Sequence, residues 1–335
     1  MPPANFSNPG YEKDTSLDEF EGKHTYFSST DIRKGANVHA GANIELIQEF
    51  PQEKRKTLIA IFATICTIVI NDISNVLTHQ KVPDRNLHPP LPDITLDNVT
   101  KIRWLNDVAD ILATLSLITI LSTIVLHRHG WIVCRRIFLI LALLYCLRSV
   151  TMYVTVLPLA NNHDICSPKM NDSLTAGQKF ISIMGEVVQL LGSAGMRITG
   201  KRKMCGDYIF SGHTIILMMG NLVVCEYIPK RCHFIQWTTS IIAWVGMICL
   251  VVSHGHYTID VLVGYFITTR LFWIYHTMCY NSELKTKSSM NPLSNVWWFS
   301  GFRYFESNVS GKLPEEYRVS SLRTAIQEFV ASFTR

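Results

Sequence analysis

The chain is 335 residues long, 48% apolar and only 17% charged, too apolar for a disordered protein and unusually poor in charge for a set of soluble domains. Its 31 basic and 26 acidic side chains leave a formal charge of +5, which membrane-flanking residues explain better than a nucleic-acid-binding surface does. The nine cysteines stand singly with no CxxC pair, so the spacing indicates neither a zinc site nor a dense disulfide framework.

Residues 1–56 are polar, mixed in charge and without sustained periodicity, and are expected to form a mostly disordered cytoplasmic tail. No charged n-region with an apolar h-region precedes the first apolar run, so that run is expected to insert uncleaved. A spanning helix needs roughly 20 apolar residues to cross roughly 30 Å of hydrocarbon. Six runs reach that length: Thr57–Leu77, Val108–Leu126, Ile137–Leu157, Tyr208–Ile228, Phe234–Ser253 and Tyr257–Cys279. One such run could be a buried core helix, but six together predict an all-α fold, a polytopic membrane protein built as a six-transmembrane helical bundle over residues 57–280. A further stretch, Phe180–Ile198, carries Glu186, Gln189, Arg197 and several glycines, and reads as interfacial or re-entrant. Residues 281–335 are expected to be a cytoplasmic C-terminal tail. Within it, NVWWFSGFRYF at 295–305 suggests either an interfacial aromatic anchor or a packed core strand.

Orientation follows from basic residues in short loops. HRHGWIVCRR at 127–136 and PKRC at 229–232 are both expected on the cytoplasmic side. Six spans then put both termini there and turn the connections 78–107 and 158–207, with the tight turn near His254, to the lumen or exterior.

Ionisable residues within spans are costly and mark functional positions. CGDYIFSGHT at 205–214 places His213 in the first turns of the fourth span, and SHGHYTID at 253–260 places His256 and Asp260 at the head of the sixth. His256 and Asp260 are four residues apart and share a helical face, so the carboxylate can orient the imidazole and stabilise its charged form. Two spans separate the clusters, which puts both histidines on one side of the membrane. Converging histidines offer a nucleophile for phosphorus and an acid for the departing alkoxide; snorkelling interfacial histidines are the bland alternative. A metal held by His254, His256 and Asp260 is disfavoured, because no HExxH or acid-rich ligand set accompanies them. Arg148, in the middle of the third span with Tyr145 and Thr151 on roughly the same face, is the candidate cationic partner of a phosphoryl group, or else a structural arginine paired with Asp72 or Asp110. Arg270 lies 14 residues beyond His256, about 21 Å along a helix, and is read as structural.

Four blocks, HPPLPD at 88–93, RRIFLILALLYCLRSVTMY at 135–153, CGDYIFSGHT at 205–214 and HYTID at 256–260, resemble the signature motifs of the sphingomyelin synthase family, a branch of the lipid phosphate phosphatase superfamily. TTRLFWIYHTM at 268–278 extends the likeness, which covers residues 57–310 and leaves the tails unmatched. The resemblance implies transfer of phosphocholine from phosphatidylcholine to ceramide, releasing diacylglycerol, with phosphatidylethanolamine as the second donor reading. His256 would attack the phosphodiester, Asp260 would assist it, and His213 would protonate the diacylglycerol oxygen, while Tyr145, Arg148, Asp207 and Gly255 would contact substrate. No cofactor or metal is implied. The expected partners are these lipids and no nucleic acid, with a homo-oligomer allowed; the expected location is the Golgi, the plasma membrane or both, with a lumenal or exoplasmic active site.

Gly255 stands where family members commonly carry an acidic residue associated with head-group choice. Its lack of a side chain is expected to remove an electrostatic contact to the head-group cation and to leave more room. No folded module of the sterile alpha motif type is expected before the first span. A phosphatase would be expected to carry a KxxxxxxRP block and an SR before the last histidine, neither of which is present, and a non-catalytic lipid transporter would not require His213, His256 and Asp260 together. The sequons at 98–100 and 171–173 lie in the predicted exoplasmic loops, whether Cys166 and Cys205 pair is open, and Cys134, Cys232 and Cys279 are candidate acylation sites or plain cysteines.

Overall fold

The computed structural model describes residues 50–317, apart from 85–86, 161–165, 172, 174, 194–203 and 310. The expectations for residues 1–49, for Arg197 and for residues 318–335 lie outside the described residues. Eight α-helices are defined among them: α1 (Lys54–Lys81), α2 (Leu105–Leu126), α3 (Gly130–Val154), α4 (Ala176–Ser193), α5 (Gly212–Tyr227), α6 (His233–Val252), α7 (Thr258–Tyr280) and α8 (Phe299–Glu306). Helices α1, α2, α3 and α6 are long and apolar enough to cross a membrane. The architecture is thus that of an all-α membrane protein.

Each predicted run coincides with a helix, but several boundaries move for physical reasons. The basic loop expected at 127–136 shrinks to residues 127–129, because the helix already begins at Gly130 and draws Arg135 and Arg136 into its first turns. Both arginines are fully buried, a placement their carboxylate partners make tolerable. Arg136 donates from Nε (3.1 Å) and Nη2 (2.8 Å) to Glu306 Oε2, and Arg135 Nη1 donates to Glu53 Oε2 at 3.0 Å. At α5 the reverse happens: the run from Tyr208 is helical only from Gly212, since residues 204–211 are held in an irregular loop.

Helices α1 and α3 pack side by side, tied by a repeating device. Thr57, Thr64 and Thr78 donate their hydroxyls to the carbonyls of Trp131, Phe138 and Met152, each partner 74 residues further on. A constant offset means the two helices run in the same direction, and the Thr57–Thr64 step is one heptad, the spacing of a left-handed helix pair. Helix α5 is the central stave, packing on α2, α6 and α7. Gly220 lets it approach α2, where a Cβ would come within 2.8 Å of Ser116 Cβ, and Gly264 of α7 lies against Thr214 in the same way at 3.0 Å. The core joins Ile132, Ile137, Ile140 and Leu144 of α3 to Ile215, Leu217, Met219 and Val223 of α5 and to Phe272 and Tyr275 of α7.

The aromatic stretch 295–305 is neither a strand nor a simple surface anchor. It forms most of α8, which buries Phe299, Phe302, Phe305 and Glu306 and exposes Trp297, just before it, and Tyr304. Burial raises the Glu306 carboxyl, but Arg136 and Arg135 outweigh it and hold it below the ordinary carboxylate range. The segment beyond α7 is fastened to the same end of the bundle by Arg128–Glu316 (2.5 Å) and by the Tyr317 hydroxyl donating to Tyr227 O at 3.1 Å. Helix α4 packs on α1, with Val187 and Glu186 buried and Phe180, Ile181 and Val188 exposed.

Candidate active site

The two histidine stretches meet where α5 and α7 begin. Ser211 is extended and its hydroxyl accepts from the Thr214 amide at 3.4 Å, a serine N-cap that fixes His213 in the first turn. Helix α7 is closed by Asp260, whose Oδ2 accepts from the Tyr257 amide at 3.0 Å while Oδ1 accepts from the Ile209 amide at 2.6 Å. The Asp260 carbonyl also accepts from the Ser211 amide at 3.3 Å. One buried carboxylate therefore both starts α7 and grips the loop leading into α5. At the gripped residue, Ile209, φ is 76°, a left-handed conformation strained for a β-branched side chain.

This places the imidazole centroids of His213 and His256 6.2 Å apart. His256 Nδ1 lies 3.5 Å from Asp260 Oδ2, beside the carboxylate but beyond a well-formed hydrogen bond. Asp260 is thus first a loop clamp and second a neighbour of the imidazole, more than the sequence spacing alone conveyed. His213 Nε2 lies 2.9 Å from Oδ1 of Asp110, a fully buried carboxylate on α2.

Asp110 entered the sequence reading only as an alternative partner of Arg148, and the structure corrects that pairing. Arg148 donates from Nε to Phe210 O (2.9 Å), from Nη1 to Asn71 Oδ1 (2.5 Å), and from Nη2 to Asp207. Its guanidinium lies against Gly212, where a Cβ would come within 3.3 Å. Arg148 and Asp207 are therefore brought together beside the His213 turn, with Tyr145 one turn earlier on α3. Arg270, by contrast, lies over the rings of Phe266 and Trp273, consistent with its structural reading.

Gly255 does not open extra space. A Cβ there would come within 2.7 Å of Asn106 Oδ1 and 3.3 Å of Ser253 Oγ, so the expected room is already filled by the α2 asparagine.

The roof comes from the proline-rich block, whose role the sequence did not disclose. Asp93 accepts from the Thr258 amide (2.8 Å) and hydroxyl (2.6 Å) at the start of α7, and from the amides of Thr95 and Leu96. Partial burial raises its carboxyl, but these hydrogen bonds outweigh that and hold it below the ordinary range. The Tyr257 hydroxyl accepts from the Leu91 amide (3.1 Å) and donates to Pro158 O (3.2 Å). Cys166 and Cys205 form a disulfide in this region. The Cys205 amide donates to His79 Nδ1 at 3.0 Å. Among the described residues no three His, Cys, Asp or Glu side chains converge as a metal site. Two imidazoles, each beside a buried carboxylate, can instead divide nucleophilic attack and proton transfer between them.

Residues 204–277, which contain both histidines, match the family model described as PAP2 superfamily C-terminal. The chain is 38% identical over 269 residues to phosphatidylcholine:ceramide cholinephosphotransferase 1 of Homo sapiens, a match covering 80% of this chain and 64% of that protein. It is 36% identical over 325 residues to phosphatidylcholine:ceramide cholinephosphotransferase 2 of Mus musculus, covering 93% of this chain and 86% of that protein. The chain thus spans less than two thirds of the length of the type 1 relatives and most of the length of the mouse type 2 relative.

Proposed function

From the premise that this chain belongs to the phosphatidylcholine:ceramide cholinephosphotransferase, or sphingomyelin synthase, family, we propose that it transfers phosphocholine from phosphatidylcholine to ceramide, giving sphingomyelin and diacylglycerol. The observation that carries this reading is the pair of imidazoles 6.2 Å apart, with Asp260 beside one and Asp110 beside the other.

His256 attacks the donor phosphorus, forming an N–P bond as the P–O bond to diacylglycerol breaks. His213 gives the departing oxygen a proton. Ceramide's primary hydroxyl then returns a proton to His213 as its oxygen attacks the phosphohistidine, and the N–P electron pair goes back to His256. Asp260 steadies the nucleophile, and Arg148, Asp207, Tyr145 and Gly255 border the head group.

The same reading takes α1, α2, α3, α5, α6 and α7 as six spans of a catalytic domain over residues 57–280, between cytoplasmic tails at 1–56 and 281–335. The site faces the lumen or exterior in the Golgi, the plasma membrane or both, and the protein is free to form homo-oligomers. The Cys166–Cys205 disulfide beside the site supports that side, because disulfides persist in oxidising compartments. The parallel course of α1 and α3 supports a serpentine path.

The test is an assay of purified protein with labelled ceramide and either phosphatidylcholine or phosphatidylethanolamine. Labelled sphingomyelin from the choline donor is expected. Ceramide phosphoethanolamine alone would reassign the donor, and head-group release without a ceramide product would replace the transferase with a hydrolase.

A further inference from the structure

We infer that Asp110 is a positioning residue that locks His213 in one tautomer, so that the two histidines work through opposite ring nitrogens: His213 through Nδ1 and His256 through Nε2. The inference rests on the transferase reading above and specifies how its proton is handled.

Asp110 is fully buried in α2, 103 residues before His213, and its Oδ1 lies 2.9 Å from His213 Nε2. A carboxylate only accepts, so Nε2 carries the hydrogen in that bond. Neutral His213 then has its lone pair on Nδ1, and protonated His213 has its transferable proton there. On the other ring Nδ1 is the buried nitrogen, 3.5 Å from Asp260 Oδ2. That leaves Nε2 of His256 to meet phosphorus.

The bookkeeping of protons closes with this assignment. Imidazolium His213 keeps Nε2–H on Asp110 and gives Nδ1–H to the diacylglycerol oxygen as its P–O bond breaks. The resulting neutral ring is already the correct base, with Nδ1 free to take the ceramide proton while that oxygen displaces His256 Nε2 from phosphorus. Without Asp110 the neutral ring would divide between two tautomers, and the wrong one would present N–H where a base is needed.

Other charged or titratable groups approach His213 from the elements packed around it. They are Arg148 of α3, whose guanidinium lies against Gly212, Asp260 of α7, which grips Ile209, and His256. None of them is itself altered in the Asp110 variants, so an effect that glutamate rescues and asparagine does not reports on this carboxylate.

The kinetic test compares Asp110→Asn with Asp110→Glu in purified protein, with melting temperature as a folding control. Asp110→Asn is expected to lower kcat roughly 10²- to 10³-fold with KM within about threefold. Asp110→Glu is expected to bring kcat back to within about tenfold of the native enzyme. A native kcat in Asp110→Asn, or a glutamate variant no better than the asparagine one, would overturn the assignment. A second readout needs neither variant nor substrate: in ¹⁵N-histidine-labelled native protein, the neutral His213 signal should be that of the Nε2–H tautomer and His256 that of the Nδ1–H tautomer. The opposite tautomer at His213 would overturn the inference, whereas the predicted tautomers in a protein without transferase activity would fault only the functional reading.

Discussion

Replacing Asp260 by Asn separates the two jobs the geometry gives this side chain. The native carboxylate accepts the Ile209 amide at 2.6 Å and the Tyr257 amide at 3.0 Å, both in a fully buried setting. Hydrogen bonds to a charged acceptor contribute about 1.5–3 kcal/mol each. An asparagine keeps one carbonyl oxygen but turns an NH2 group toward the other amide, so one bond is lost, the other weakened, and two donors face each other. The expected destabilisation is about 3–5 kcal/mol, read as a lowered melting temperature in detergent. Transfer activity, measured well below that transition, should fall roughly 10²- to 10⁴-fold, because the charge beside His256 Nδ1 is gone. The two losses have different origins, so an excess of lipid substrate should recover neither. A variant that melts with the native protein would refute the clamp, and one that transfers head groups at the native rate would refute the partnership with His256.

At the other end of the bundle, Glu306→Gln removes the carboxylate that pairs with the fully buried Arg136 and should cost about 3–5 kcal/mol; adding Arg136→Met should recover part of that loss, and an equally unstable double variant would contradict the pairing. At the site, Gly255→Ala should lower activity, because its Cβ meets Asn106 Oδ1 at 2.7 Å, and Asn106→Ala should relieve the effect; additive losses in the double variant would place the cause elsewhere. The roof should be acid-sensitive through Asp93, whose folded-state carboxyl is held below its ordinary value. Its stabilisation is complete above the ordinary carboxylate pKa of about 4 and is lost as pH falls through the lowered folded value. Melting temperature followed downward from pH 5 should therefore fall less steeply in Asp93→Asn than in the native protein, and parallel curves would argue against this role.

The apolar runs were legible because a lipid-facing helix must be apolar over its whole length, and His213, His256 and Asp260 were legible because polar residues at the mouths of such runs are costly without a task. What escaped the sequence reading are partnerships across the fold. Asp110 reaches His213 over 103 residues and Asp93 reaches Thr258 over 165, and no local pattern couples positions so far apart. Helix ends moved for the same reason. Arg135 and Arg136 look like loop residues until Glu53 and Glu306 arrive from distant segments to pair with them. Gly255 looked like vacant space because Asn106, which fills it, comes from another helix.

The central claim, transfer through His256 in two displacements, is tested most directly by the stereochemistry at phosphorus. A phosphatidylcholine analogue made chiral by one non-bridging sulfur would be turned over with ceramide and the configuration of the thio-sphingomyelin determined. Attack by His256 followed by attack by ceramide inverts the centre twice, so overall retention is the predicted result. Inversion would mean that ceramide attacks the donor directly and would contradict the covalent role assigned to His256.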